Sequence, residues 1–302
     1  MRSDILRTPE ERFADLPGFA TWPCYVDDLP GYEGLRMHLT DEGPARSDEV
    51  FLCLHGEPTW CFLYRRMMPI LVDAGVRVVA PDFFGFGRSD KPVDDDLYTF
   101  DFHRDALLAL IEQRDLRNIT LVCQDWGGLI GLTLPMAMPQ RFKRLVVMNT
   151  MLATGDVPVG KGFLGWRQFV RDQPDFDIAS LMRRACPDMS AADAAAYDAP
   201  FPDARYRAGV RRFPDIVPTE PGDPGAALAR AARDWLSNEW SGETFMAIGM
   251  QDPVLGKPVM ELLRGWIRGC REPLELPQAG HFVQEHGEIV AIAALKAFAI
   301  EG

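Results

Sequence analysis

Residues Asn118–Pro135 read NITLVCQDWGGLIGLTLP, and the passage from strand to helix inside this stretch decides the fold. Ile119–Cys123 is a short apolar run rich in β-branched residues, as a buried strand requires, and Gly128–Ala137 continues with helical spacing. Between them stand Gln124, Asp125, Trp126 and Gly127. Small residues at Cys123 and Gly127 flank Asp125 two positions away on either side, where the backbone crowds its neighbours and a large side chain would not fit. This is the pattern of a nucleophile elbow, a strained turn that lifts one side chain above the end of a sheet. The N-terminus of the following helix also favours a negative charge at that point.

Outward from this turn, short apolar runs alternate with longer helical patterns. Candidate strands are Val50–Leu54, Val76–Ala80, Ile119–Cys123, Leu145–Met148, Phe245–Gly249 and Leu274–Leu276. Several are apolar on both faces, the signature of central strands covered on both sides. Helical patterns fall at Phe62–Ala74, Phe102–Arg114, Gly128–Ala137, Ala226–Trp240, Pro258–Arg268 and Glu285–Phe298. The expected class is therefore α/β, with a mostly parallel central sheet flanked by helices. Met151–Pro224 interrupts the alternation with helical pieces rich in Pro, Arg, Asp and aromatics, and Pro221–Gly225 (PGDPG) reads as its exit linker. This predicts an inserted helical cap at 151–225 on a core made of 1–150 and 226–302. A second independent domain is disfavoured, because so short a segment without its own sheet buries little core.

The residue at the centre of the elbow is Asp rather than Ser. A carboxylate with a pKa near ~4 is ionised at neutral pH and needs no base before it attacks. Its natural target is an electrophilic sp3 carbon, and the product is an alkyl ester on the enzyme. Hydrolysing that ester needs a base to activate water. Phe245–Gly256 (FMAIGMQDPVLG) places Asp252 after a strand, and Leu276–Glu285 (LPQAGHFVQE) places His281 after a glycine and before the last helix. Nucleophile, acid, histidine is the chain order of the α/β-hydrolases, with Asp252 orienting His281 and stabilising its protonated form. His55-Gly56-Glu57-Pro58-Thr59-Trp60 directly follows a strand, and there the backbone N–H of Glu57 would share an oxyanion hole with that of Trp126. Taken singly, Asp125 could be a helix N-cap, His281 a surface histidine and Asp252 a turn residue. Their joint fall at successive strand ends is what favours chemistry.

Composition narrows the class. The chain has 302 residues, of which 47% are hydrophobic and 25% charged, ordinary for a soluble enzyme. A formal net charge of −12 disfavours nucleic acid, which needs a basic surface, and would modestly repel anionic substrates. Met1–Phe13 is polar, unlike a signal peptide, and no run is long and apolar enough to span a membrane. The six cysteines (Cys24, Cys53, Cys61, Cys123, Cys186, Cys270) lack metal-ligand spacing. Free thiols in a reducing cytoplasm are expected, with no metal. Gly85-x-Gly87 lacks the third glycine of a dinucleotide loop, so no nucleotide cofactor is expected.

With these residues in place, the chain resembles the haloalkane dehalogenases. HGEPTW, APDFFGFGRSDKP, VCQDWGG, AIGMQD and AGHFVQE are similar to that family and stand in its order, from about Val50 to the C-terminus. The resemblance extends to the phrase APFPD (Ala199–Asp203), and is nearest to the members that carry the acid after the later strand, at Asp252, while Asn149 holds the alternative position. It implies halide binding by the indole N–H groups of Trp126 and Trp166, which donate a hydrogen bond without acting as acids. It also implies an occluded apolar pocket lined by Leu129, Phe163, Phe213, Pro214 and Val217. The expected reaction converts a small apolar haloalkane and water to an alcohol and a halide ion, as detoxification, by a cytoplasmic monomer. Two other readings stay open. An epoxide hydrolase would share the Asp nucleophile and draw a proton from tyrosines such as Tyr197 and Tyr206. A non-catalytic hydrolase fold would serve as a binding protein, and such a protein usually loses a triad member.

Overall fold

The computed structural model describes residues 4–300. Eight strands form one sheet: β1 Cys24–Val26, β2 Met37–Glu42, β3 Val50–Leu54, β4 Arg77–Pro81, β5 Ile119–Gln124, β6 Phe142–Met148, β7 Glu243–Gly249 and β8 Leu274–Leu276. Their spatial order is β8-β7-β6-β5-β3-β4-β2-β1. Strands β3 to β8 run parallel, and β2 and β1 join antiparallel at one edge. β3, β5 and most of β6 are buried along their whole length, which is why their sequences read as continuous apolar runs rather than alternating ones.

The helices are α1 Met68–Asp73, α2 Phe100–Gln113, α3 Trp126–Gly131, α4 Leu134–Ala137, α5 Lys161–Asp172, α6 Ile178–Ala185, α7 Ala191–Asp198, α8 Ala208–Arg212, α9 Ala226–Asn238, α10 Lys257–Trp266 and α11 Gly287–Ala297. Two expected helices are divided. The stretch 62–74 is a 3-10 turn at Cys61–Tyr64 followed by α1, which begins around Pro69, and 128–137 splits into α3 and α4 around Pro135. Proline has no N–H for the ladder, so it starts a helix more easily than it continues one. Between the end of β6 and α9 the described chain holds only helices, α5 to α8 with two 3-10 turns. No helix among the described residues is long and apolar enough to cross a membrane.

Register does the positioning. β3 pairs with β5 from Val50↔Ile119 to Leu54↔Cys123, so the HG loop leaves its strand beside the elbow. β5 pairs with β6 up to Gln124↔Met148, which sets Asn149 next to Asp125. The loop after β4, DFFGFGRS, is tied by Asp82, whose carboxylate accepts the backbone N–H of Cys61 and Arg88 and the Nδ1 of His38, each at 2.8 Å. His38, Cys61 and Asp82 thus cluster, but the carboxylate is committed to holding the loop.

Candidate active site

Asp125 sits at the tip of the elbow with φ 50° and ψ −124°, a strained conformation for a residue with a side chain. It occupies the N-cap position of α3 yet makes no side-chain capping bond, so its carboxylate is free to face the cavity. The turn is fixed around it: Asp125 N–H donates to the Asn149 carbonyl at 3.0 Å, and Thr150 Oγ1 donates to the Asp125 carbonyl at 2.6 Å. Crowding explains the neighbouring glycines. A Cβ on Gly127 would lie 1.9 Å from the Leu54 carbonyl oxygen, and one on Gly56 2.3 Å from the Asp125 carboxylate.

The backbone N–H of Glu57 donates to Asp125 Oδ1 at 2.8 Å, and the backbone of Trp126 also stabilises the carboxylate. Burial pushes the Asp125 carboxyl above the usual carboxylate range, while His281 and these two backbone N–H groups pull it back. The other oxygen, Oδ2, is 3.6 Å from His281 Nε2, beyond direct hydrogen bonding but well within electrostatic reach.

His281 Nδ1 meets Asp252 Oδ2 at 2.8 Å. Asp252 lies in the loop after β7, with its side chain buried, and accepts Asn149 Nδ2 at 2.9 Å and the backbone N–H groups of Val254 and Leu255 at 2.8 and 3.1 Å. Against burial, which raises it, His281, Asn149 and Val254 hold the Asp252 carboxyl down to about 2. Burial opposes the protonated form of His281, but Asp252 and Asp125 outweigh it and raise the histidine to about 9.

Two residues whose contacts the sequence did not show complete this arrangement. Asn149, noted there only as a position without an acid, clamps both Asp252 and Gly249, donating to the Gly249 carbonyl at 3.0 Å and accepting its N–H at 2.8 Å. Gln124, the last residue of β5, places its amide nitrogen 2.9 Å from His281 Nε2, leaving its own Oε1 without a partner among the described residues. A neutral His281 accepts from that amide nitrogen. The same nitrogen also donates to the His281 carbonyl at 3.2 Å, which fixes the orientation of the amide.

Asp125, Asp252 and His281 open on a cavity of about 430 Å³, whose wall also carries Glu57, Trp126, Trp166, Leu129, Phe163, Pro214 and Val217. Trp126 leads α3 and Trp166 lies on α5, so the elbow and the helical segment each supply one indole to the same space. Phe213 is a correction: it is fully buried behind Trp126, with ring centroids 4.4 Å apart, and packs on Phe86 and His103 rather than on the cavity. The Glu57 side chain is a further surprise, since only its backbone N–H was expected there. It is buried, its Oε1 has no partner among the described residues, and burial together with Asp125 drives its carboxyl well above the usual range, while a hydrogen bond from Trp166 counteracts this. Neither Tyr197 nor Tyr206 lines the cavity. Tyr197 is instead committed to Glu285 and Arg65.

Comparison with known proteins agrees with this geometry. The profile of the alpha/beta hydrolase fold family matches residues 49–288. The chain is 46% identical to a haloalkane dehalogenase of Psychrobacter cryohalolentis over 95% of either chain, and 40% identical to one of Mycolicibacterium paratuberculosis over 93% of either. Among solved structures it is similar to the tetrameric haloalkane dehalogenase DpaA from Paraglaciecola agarilytica, with a TM-score of 0.95, 54% identity and coverage of 97% of this chain and 98% of that one. An elbow built on Asp, an acid–histidine relay, two indoles on one apolar cavity and these relatives point the same way: the chain belongs to the haloalkane dehalogenases of the α/β-hydrolase fold.

Proposed function

We propose that the enzyme hydrolyses a carbon–halogen bond in two steps on Asp125. The observation that carries this reading is the Asp125 carboxylate facing both the His281–Asp252 pair and two indoles across one largely apolar cavity. Oδ1 is held by the Glu57 N–H, so Oδ2 is the attacking atom. Its bond to the sp3 carbon forms as the carbon–halogen bond breaks, and the departing electron pair leaves with the halide. The N–H groups of Trp126 and Trp166 stabilise that developing charge.

Esterification removes the negative charge of Asp125, one of the influences that hold the proton on His281. His281 therefore becomes a better base at the stage that needs one. It takes a proton from water, whose oxygen adds to the ester carbon of Asp125. The tetrahedral oxyanion develops at Oδ1, against the N–H groups of Glu57 and Trp126. Collapse expels the alcohol, which takes the proton from His281, and the regenerated carboxyl group releases a proton. The net products are alcohol, halide and a proton.

The absence of Tyr197 and Tyr206 from the cavity wall favours this over epoxide opening, since a halide leaves without being protonated and an alkoxide does not. In the same reading, residues 151–225 act as a cap over the core, and the chain works as a cytoplasmic monomer. All six cysteines are free thiols, which supports a reducing compartment. Light scattering tests the assembly: a species of 33.8 kDa supports the monomer, and one about four times heavier would match the tetramer described for the Paraglaciecola enzyme.

The decisive experiment arrests the second step. His281→Gln incubated with 1-bromobutane should release about one halide per enzyme and then stall. Intact mass should show a butyl adduct, and peptide mapping should place it on Asp125. Steady multiple turnover, or an adduct on another residue, would sink the assignment of roles.

A further inference from the structure

Among the described residues the cavity wall contains a single Lys or Arg side chain, that of Arg184 near the end of α6. Arg184 and Pro187 also line an open groove formed with Phe169, Gln173, Phe176 and a second arginine, Arg183, which is absent from the cavity wall. Arg184 is exposed and so belongs to both the cavity wall and the open surface beside it. Among the described residues it makes no hydrogen bond or ion pair, and its nearest charge-related contact is the ring face of Phe169 at 6.0 Å. The one carboxylate lining that groove among the described residues, Asp177, is already committed to the backbone N–H of Ser180 as the cap of α6. Between Arg184 and Asp125 the wall is apolar, with Leu181, Phe163, Met151 and Leu129.

An unpaired cation at one end and an alkylating centre at the other define a polarity along the cavity. From this geometry, and resting on the dehalogenation reading above, we infer that Arg184 is a specificity-determining residue for haloalkanes that carry a carboxylate at the end remote from the halogen. The halogenated carbon would lie at Asp125 and the methylene chain along the apolar wall, with the carboxylate in the guanidinium fork of Arg184. That fork suits a planar carboxylate better than a point charge does. On a chain of net charge −12, such a local cation offsets the long-range repulsion of an anionic substrate.

The test is the ratio of kcat/KM for 6-bromohexanoate to that for 1-bromohexane, measured by halide release with the full-length enzyme. Arg184→Gln should lower this ratio about five-fold, the size of a solvent-accessible charge pair. The loss should fall mainly on KM, and Arg184→Lys should recover part of it. Raising sodium sulfate to about 0.5 M should shrink the wild-type ratio towards that of the Gln variant, because screening acts on the exposed pair. An unaltered ratio in Arg184→Gln, or a ratio indifferent to salt in the wild type, would overturn the role of Arg184 while leaving dehalogenation standing. Failure of the wild type to release bromide from either compound would overturn dehalogenation itself, and this inference with it.

Discussion

Asp125 and Trp166 face the same cavity, yet they are held there by different means. On the floor, sheet register and a mesh of short bonds hold the groups: the Asn149 carbonyl and Thr150 Oγ1 bind the elbow, Asn149 Nδ2 and the Val254 and Leu255 N–H groups bind Asp252, and Gln124 binds His281. On the roof, Trp166 is positioned by packing against Phe169 and Phe176, with ring centroids 5.6 and 5.4 Å away. The roof is joined to the floor by ion pairs. Arg65, only 4% exposed, binds Glu285 just beyond the His281 loop and Asp193 on α7, and its guanidinium also donates to Tyr197. The floor is tied to the strand ends of the sheet and the roof to helices held by side-chain packing, so substitutions should reshape the roof more readily than the floor.

The sharpest way to break that contrast is Asp125→Ala. Turnover should fall by at least about 10⁴-fold, while the denaturation midpoint stays near that of the wild type, because the carboxylate faces the cavity rather than the packed core. Retained halide release would end the covalent scheme. Next in size is Arg65→Met, which leaves the half-buried Glu285 and Asp193 carboxylates to the more exposed Arg66 and should cost about 2 kcal/mol of stability by urea denaturation. A loss below about 1 kcal/mol would mean that the roof does not depend on this tie.

Trp126→Phe and Trp166→Phe each remove one donor while keeping an aromatic ring, and each should slow turnover by about 10²-fold. Tryptophan fluorescence of the wild type should also respond to bromide. An unchanged rate in Trp166→Phe would take the roof out of halide binding. The smallest effect concerns pH. His281 is raised to about 9 in the folded protein, above its ordinary value of about 6.5. The stability this contributes is fully present below about pH 6.5 and is lost as pH rises through about 9. Between those values the wild-type Tm should fall more steeply than that of His281→Gln. Parallel Tm curves would show that the proton on His281 is not held more tightly in the folded state.

The floor was legible in the sequence because each of its parts is local: strand, small residue, nucleophile and glycine lie within a few positions at Cys123–Gly127, and HGEPTW and AGHFVQE carry their own turns. Asn149 on Asp252, Gln124 on His281 and Arg65 on Glu285 were not legible. These pairs are separated by 103, 157 and 220 positions, and nothing near either residue announces the other. Phe213 shows a second limit. An apolar residue next to a cavity and one behind its wall have the same chemistry, and only packing separates them. The edge strands β1 and β2 were missed for a different reason. Met37–Glu42 is buried at its first four positions, polar His38 and Thr40 included, so it shows neither a clean alternation nor an apolar run.

The place of the roof in the chain has a consequence for how the protein assembles. β6 and β7 are hydrogen-bonded neighbours from Arg144↔Glu243 to Met148↔Ala247, although the whole helical excursion lies between them. Their pairing must therefore close a long loop, the kind of non-local contact that slows folding. The entropy of closing such a loop grows only logarithmically, so doubling the excursion would add about 0.6 kcal/mol. Lengthening or replacing the helices over the cavity is thus nearly free in topological terms, and a family built this way can vary the roof widely while the strands beneath keep their order.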